Sequence, residues 1–233
     1  FQLFGRHQKR VYGTKNMARE PAMTREEAWQ AVMTGVHRAE ELKEQGYDIL
    51  ATGEMGIGNT TTSSAVAAVL LDRPVEEVTG KGAGLTGKGL ERKIQVIKDA
   101  IALHHPEKDD VLDVLAKVGG LDIAGLTGVF LGGAMNRLPV VIDGFISAVA
   151  ALCAARLVPA ASDYMLASHI SKEPAGGMLL DALHLSPFLT CDMFLGEGSG
   201  AVAVLPLLEM GLQVYLQMST FEETGIEKYE VLK

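Results

Sequence analysis

The sequence predicts an α/β fold, a Rossmann-like parallel sheet flanked by helices, with a small helical part supplied by the terminal segments. Three observations carry that expectation. Short apolar runs of strand length stand at residues 47–52, 138–142 and 164–167. Each is followed by a stretch of helical character, and strands that alternate with helices pair in parallel through right-handed crossovers. Glycine is also abundant, 26 of 233 residues, or about 11% against a usual ~7%. The glycines cluster in a few loops, two of them after apolar runs, and ligands of such folds bind beyond the carboxyl ends of the strands.

Taken in order, Thr24-Arg25-Glu26-Glu27 is a capping box, with Met23 placed to staple onto Ala28. Ala28, Val32, Val36, Ala39 and Leu42 recur at near-helical spacing behind it, and Gly46 closes that helix. Residues 47–52 read as a buried strand running into Gly53, Gly56 and Gly58, then a helix capped by Asn59 or Thr60. A further helix carries Leu90, Ile94, Ile97 and Ile101 and stops before Pro106. The next carries Val111, Leu112, Leu115 and Val118 and stops at Gly119-Gly120. Residues 138–155 have the composition of a membrane span, but Pro139 and Asp143-Gly144 interrupt them. A strand over 138–142, a turn and a helix over 145–156 need no lipid, so no membrane is expected. The expected organisation is an N-terminal segment and helix over 1–46, an α/β domain over 47–205 and a C-terminal helical segment over 206–233.

Composition narrows the function classes. Hydrophobic residues make up 48% and charged residues 21%, the balance of an ordinary folded chain rather than a disordered one. The net charge of −8 argues against a general nucleic-acid or anionic-membrane surface, because phosphates would be repelled. Two cysteines, Cys153 and Cys191, are too few for a disulfide framework, which favours a reduced cytoplasmic compartment. No His/Cys/Asp spacing resembles a metal site, so no metal is expected. Nor is a Cys-His or Ser-His-acid nucleophile readable.

Three glycine-rich loops hold the chemistry. In Gly53-Glu54-Met55-Gly56-Ile57-Gly58-Asn59-Thr60, free N–H groups and a helix dipole can face an anion. A tight strand-to-helix turn with no ligand explains the spacing about equally well. Glu54 favours the ligand, since a turn needs no carboxylate there and a ribose hydroxyl wants an acceptor. The second loop, Gly80 to Gly89, matches the dinucleotide fingerprint at Gly82, Gly84 and Gly87. It lacks the preceding buried strand and the later acidic partner, and it contains no Gly-Lys-Ser/Thr. Lys81, Lys88, Arg92 and Lys93 around its bare amides point to a phosphomonoester cradle or to a solvated, merely soluble loop. The third, Leu195-Gly196-Glu197-Gly198-Ser199-Gly200, sets a carboxylate on a bend, where a helix-capping acid is the common alternative.

Together the motifs resemble one family in order along nearly the whole chain. Gly13-Thr14-Lys15-Asn16, Pro21-Ala22-Met23, the loop at 53–61, Gly82 with Arg92-Lys93-Ile94, Val118-Gly119-Gly120, Asp143-Gly144-Phe145 and the loop at 195–200 carry the likeness. The family is the nicotinate-nucleotide:5,6-dimethylbenzimidazole phosphoribosyltransferases, which assemble the lower-ligand nucleotide of cobalamin. The resemblance implies that nicotinate mononucleotide and a benzimidazole give α-ribazole 5′-phosphate and nicotinate, without a cofactor, in a cytoplasmic homodimer. It makes Glu197 the catalytic base and puts the aromatic base against Leu195. Glu54 and Gly56 fall in the loop that holds ribose and phosphate, with Gly58, Asn59 and Thr60 in the same loop. Gly82 and Lys93 match phosphate-contacting positions, Gly84 shares their loop, and Ser171 is a further substrate-binding position. The resemblance also implies a substantial segment ahead of Gly13 that these residues lack, and with it part of the benzimidazole pocket. Nucleotide binding is therefore expected to be more complete than base recognition.

The chemistry asks for little more than these residues. Nicotinate attached through its ring nitrogen is a pyridinium and leaves without a proton, so one base for the azole N–H suffices. Other functions compatible with the same loops are a non-catalytic nucleotide- or azole-binding protein and an N-ribosyl hydrolase.

Overall fold

The computed structural model describes residues 13–82, 84–225 and 227. Residues 1–12, 226 and 228–233 of the expected terminal segments, and Ala83 of the second glycine loop, lie outside the described residues.

The α/β expectation holds. Three parallel strands, β1 (Leu50–Ala51), β2 (Val140–Ile142) and β3 (Met165–Ala167), lie side by side in that order. Leu50 is opposite Val140, which is opposite Met165. All three residues of β2 are buried, as the middle strand of a covered parallel sheet must be. The strands are shorter than the apolar runs that announce them. At the first, pairing covers only Leu50–Ala51, flanked by Leu50 N–H to Pro139 O and Thr52 N–H to Val141 O.

Helix α1 (Arg25–Glu44) has the capping box the sequence announces, with Thr24 accepting from the Glu27 N–H and the Glu27 side chain accepting from the Thr24 N–H. Its buried face carries Ala28, Val32, Val36, Ala39 and Leu42. Helix α2 (Asn59–Leu71) departs from expectation, because its N-cap is Gly58 and no side chain caps it. Asn59 instead turns its amide to Asp122 Oδ2, at 2.8 Å. Pro74 then starts a short α3 (Val75–Val78), not a buried strand, as the polar residues imply, though its Val75 and Val78 are buried.

Helices α4 (Gly87–His104) and α5 (Val111–Val118) follow the apolar spacing, with Thr86 and Asp110 as their caps. Helix α6 (Leu121–Met135) is not expected from the sequence, since it contains Gly125, Gly128, Gly132 and Gly133. Those glycines let it lie almost backbone to backbone against α1. A Cβ on Gly128 would stand 1.8 Å from Val32 O, and one on Gly35 1.9 Å from Gly125 O.

Helix α7 (Phe145–Leu157) is buried along nearly all its length, including Ile146, Val149, Leu152 and Cys153, so its apolar character belongs to the core. A 3₁₀ turn (Pro159–Tyr164) leads to β3, and α8 (Gly176–Ala182) follows. Helix α9 (Ser199–Gln217) runs across residue 206 without a break, with Pro206 inside it, and α10 (Phe221–Thr224) comes after it. Among the described residues α9 alone is long and apolar enough to cross a membrane. Its first turns pack Ala201 and Val204 against Val141 of β2, while its later turns leave Met210, Leu212, Val214 and Tyr215 exposed. Both cysteines are free, Cys153 buried and Cys191 exposed.

Candidate active site

The loops that leave the carboxyl ends of all three strands open onto one cavity of about 670 Å³. The loop after β1 supplies Glu54 and Gly56, the turn after β2 supplies Asp143 and Gly144, and the segment after β3 supplies His169 and Ser171. Gly82 and Gly84 of the second glycine loop line it as well. The bend before α9 completes it with Leu195 and Glu197.

These loops touch one another through bare glycine backbone. A Cβ on Gly53 would lie 2.3 Å from the Gly198 nitrogen, so the first and third loops sit in direct contact. The Glu197 N–H donates to Glu54 O at 2.9 Å across the same seam. On the other side Gly82, at φ 55°, stands over Thr60, where an added Cβ would be 2.7 Å from Oγ1. Segments some 140 residues apart are thereby brought round one hollow.

Glu197 occupies an uncommon backbone state. Its φ is 57°, between Gly196 at 77° and Gly198 at 80°, so three consecutive residues are left-handed. A non-glycine residue there costs about 1–3 kcal/mol and persists only where its surroundings hold it. Its carboxylate is exposed at the mouth of the cavity beside Phe194 and Leu195, which are 76% and 67% accessible. Lys172 reaches over the Phe194 ring, with Nζ 5.9 Å from its centroid.

Glu54 is the more enclosed acid. Burial pushes its pKa up and the Asp122 carboxylate adds to the rise, while bonds from the Met55 N–H and the Asn59 side chain work against it. Lys93 is buried on α4 and donates to Thr60 Oγ1 and Gly80 O, each at 3.0 Å. Burial lowers its pKa, and the nearby Glu173 carboxylate opposes that. One oxygen of Glu173 is buried without a hydrogen-bond partner.

Of the residues singled out from sequence, Glu54, Gly56, Thr60, Gly82, Gly84, Ser171, Leu195 and Glu197 line the cavity. Gly58, Asn59 and Lys93 do not, Lys93 lying one hydroxyl behind the wall at Thr60. The four-cation cradle does not form. Lys81, in the loop ahead of α4, and Lys88 and Arg92, which α4 turns toward solvent, are exposed outside the lining. Among the described residues no Lys or Arg lines the cavity, and no group of three or more His, Cys, Asp or Glu is placed to hold a metal.

Sequence reasoning carries Asp143 only inside the Asp143-Gly144-Phe145 motif and His169 only as a loop position after a strand, gives neither a role and does not reach Glu173; all three line the same space. Asp143 is 2% exposed, with its N–H on Ser147 Oγ and its C=O accepting from Ser168 Oγ. Because the Ser168 hydroxyl proton is given to Asp143 O, the bond between Ser168 Oγ and His169 Nδ1 makes Nδ1 the protonated ring nitrogen. Burial depresses the His169 pKa, and Asp143 partly offsets this.

Electrostatically, the two helix N-termini at the site differ. Asp143 accepts from the Gly200 and Ala201 N–H groups and so caps α9. Helix α2 has no side-chain cap; the Thr61 N–H turns back to Gly58 O, and the N–H groups of Asn59 and Thr60 stand with the positive dipole end toward an anion.

The sequence as a whole matches the family model described as phosphoribosyltransferase over residues 3–226. The chain belongs to this phosphoribosyltransferase family. It is 52% identical over 221 residues to the nicotinate-nucleotide–dimethylbenzimidazole phosphoribosyltransferase of Ruminiclostridium cellulolyticum, covering 95% of this chain and 63% of that protein. It is 53% identical over 220 residues to the protein of the same name from Chloroflexus aggregans, covering 94% of this chain and 62% of the relative. Among solved structures, that of CobT from Thermus thermophilus superimposes with a TM-score of 0.86 at 42% identity, over 93% of this chain and 64% of that one. The chain thus spans about 63% of the length of the curated phosphoribosyltransferases it matches.

Proposed function

We propose that this site transfers the phosphoribosyl group of nicotinate mononucleotide to 5,6-dimethylbenzimidazole or a related base, giving α-ribazole 5′-phosphate and nicotinate for the nucleotide loop of cobalamin. The observation that carries this reading is the seating of Glu197, hung over the cavity on a left-handed turn bonded to the Glu54 loop. The names of the relatives support the choice of substrates.

The 5′-phosphate binds at the uncapped N-terminus of α2, beneath Gly82, with Lys93 lending its charge from behind Thr60. That charge is desolvated, so it acts at short range more strongly than a surface lysine would. Glu54 accepts from the ribose hydroxyls. Binding energy from this remote part of the substrate holds C1′ between leaving group and nucleophile.

The azole lies against Phe194 and Leu195 and gives its N–H proton to the Glu197 carboxylate. Its nitrogen bonds to C1′ as the C1′–pyridinium bond breaks, and that electron pair neutralises the nicotinate ring nitrogen. Attack from the face opposite the leaving group turns the β into the α configuration. The reaction uses no cofactor. The exposed apolar flank of α9 supports a homodimer, and the two free cysteines support a cytoplasmic location.

The test is incubation of the natural protein with nicotinate mononucleotide and dimethylbenzimidazole, with free nicotinate and α-ribazole phosphate assayed together. Nicotinate release that requires the added base is expected. Release without it would mean hydrolysis, and nucleotide binding without release would mean a non-catalytic binding protein.

A further inference from the structure

We propose that Asp143 is a positioning residue for Glu197, fixing the general base over the cavity through the backbone that carries it. The proposal rests on the transferase reading above.

Five consecutive N–H groups, those of residues 197–201, all have partners. That of Glu197 goes to Glu54 O at 2.9 Å, and that of Ser199 to Gly196 O at 2.9 Å. The other three go to a single carboxylate. Gly198 N–H donates to Asp143 Oδ2 at 3.0 Å, and Gly200 and Ala201 donate to Oδ1 at 2.8 and 3.0 Å.

A helix N-terminus is ordinarily capped by a residue within its own first turn. Here the cap comes from the end of the central strand, 55 to 58 residues earlier. It therefore ties α9 to the sheet at the point where Glu197 projects. The carboxylate is itself immobilised, with the Asp143 backbone held by Ser147 and Ser168 on either side. Ser147 in turn bonds Thr52, just ahead of the first glycine loop.

The far side of the turn is closed as well. A Cβ on Gly200 would lie 2.0 Å from His169 Nδ1 and 3.0 Å from Asp143 Oδ1. A residue at φ 57° between two left-handed glycines keeps that state only if such contacts impose it. Asp143 lines the cavity, but all three of its side-chain bonds go to this turn, which separates it from a group that acts on substrate directly.

The experiment is a double-mutant cycle between Asp143→Asn and Glu197→Gln, with kcat, KM for nicotinate mononucleotide, and amide exchange followed in each. Asn keeps the shape but sets an NH₂ against at least one N–H donor. Alone it is expected to lower kcat about 10- to 100-fold while KM for the nucleotide stays within ~3-fold. In the Glu197→Gln background it should lower kcat less than ~2-fold further. Exchange of the Gly198, Gly200 and Ala201 amides should accelerate. Wild-type kcat in Asp143→Asn, or the same loss in both backgrounds, overturns the proposal. If Asp143→Asn does not fold, Gly200→Ala displaces the same turn from the His169 side and must show the same kcat loss and the same dependence on Glu197. A wild-type protein that releases no nicotinate defeats the transferase reading instead. Unchanged exchange of the three amides in Asp143→Asn would then overturn the positioning role on its own.

Discussion

Replacing Gly53 by Ala should separate activity from folding. The added Cβ would meet the Gly198 nitrogen at 2.3 Å, Gly198 Cα at 2.6 Å and the Glu197 carbonyl carbon at 2.8 Å, all of them backbone atoms that cannot rotate away. Ordinary contact begins at 3.4 Å, so one loop must withdraw by about 1 Å (3.4 − 2.3 = 1.1). The 2.9 Å bond from Glu197 N–H to Glu54 O crosses this seam and would be stretched out of range. Gly53 has no positive φ, so Ala adds no backbone strain of its own. Overpacking of this kind costs about 1–3 kcal/mol, or roughly 2–12 °C in Tm for a chain of this size. A displacement of about 1 Å at a reacting group costs on the order of 10²-fold in rate. Steady-state nicotinate release, calorimetric titration with nicotinate mononucleotide and a thermal melt should give a folded variant with kcat down about 100-fold and nucleotide affinity changed much less. A folded Gly53→Ala variant with wild-type kcat would show that contact between the first and third loops does not govern where Glu197 stands.

Other outcomes follow from the same contacts. Lys93→Met removes a buried charge and leaves Gly80 O without its donor, so nucleotide affinity measured by calorimetry should fall about 10-fold or more, with a smaller effect on kcat. Unchanged affinity would remove Lys93 from phosphate binding. Gly128→Ala drives a methyl to 1.8 Å from Val32 O and should cost about 3 kcal/mol, roughly 6–12 °C in Tm. The exposed Gly211→Ala, with nothing within 4 Å, should instead be neutral or stabilising by up to ~1 kcal/mol. Burial depresses the His169 pKa, so its neutral form is favoured in the folded state. Its contribution to stability is present above the unfolded value of about 6.5 and is lost as pH falls from there through the folded value. Urea unfolding at pH 7.5 and 5.5 should show a larger acid loss in wild type than in His169→Gln, and equal losses would contradict the assignment.

How far the sequence alone reaches depends on whether the deciding contacts are local. Helices α1 and α5 could be read from Thr24-Arg25-Glu26-Glu27 and from the apolar face of Val111, Leu115 and Val118, since capping and amphipathic spacing are short-range signals. Helix α6 could not, because its glycines are poor helix formers and their value lies in how closely α1 can approach. Cap choice at α2 went to Gly58 because Asn59 is drawn to Asp122, a partner 63 residues away. The glycine loops and Glu197 were visible as motifs. Lys88 and Arg92 shared a motif with Lys93 but not its direction, since a helix turns neighbouring side chains to different faces, and Lys81 stays in the exposed loop ahead of it. Asp143 and His169 could be met in a single pass, as part of a motif and as a loop position after a strand, but not what they bond to, and Glu173 could not be met at all. The signal for both was position, because Asp143 follows directly on β2 and His169 lies two residues beyond β3, where ligands of α/β folds bind.

Glu197→Gln is the most direct measurement. The amide preserves size and the left-handed turn but cannot take the azole proton. Turnover should fall by about 10²-fold or more while calorimetry still shows nicotinate mononucleotide bound with near wild-type affinity. Wild-type turnover in that variant would contradict the role of Glu197 as the base.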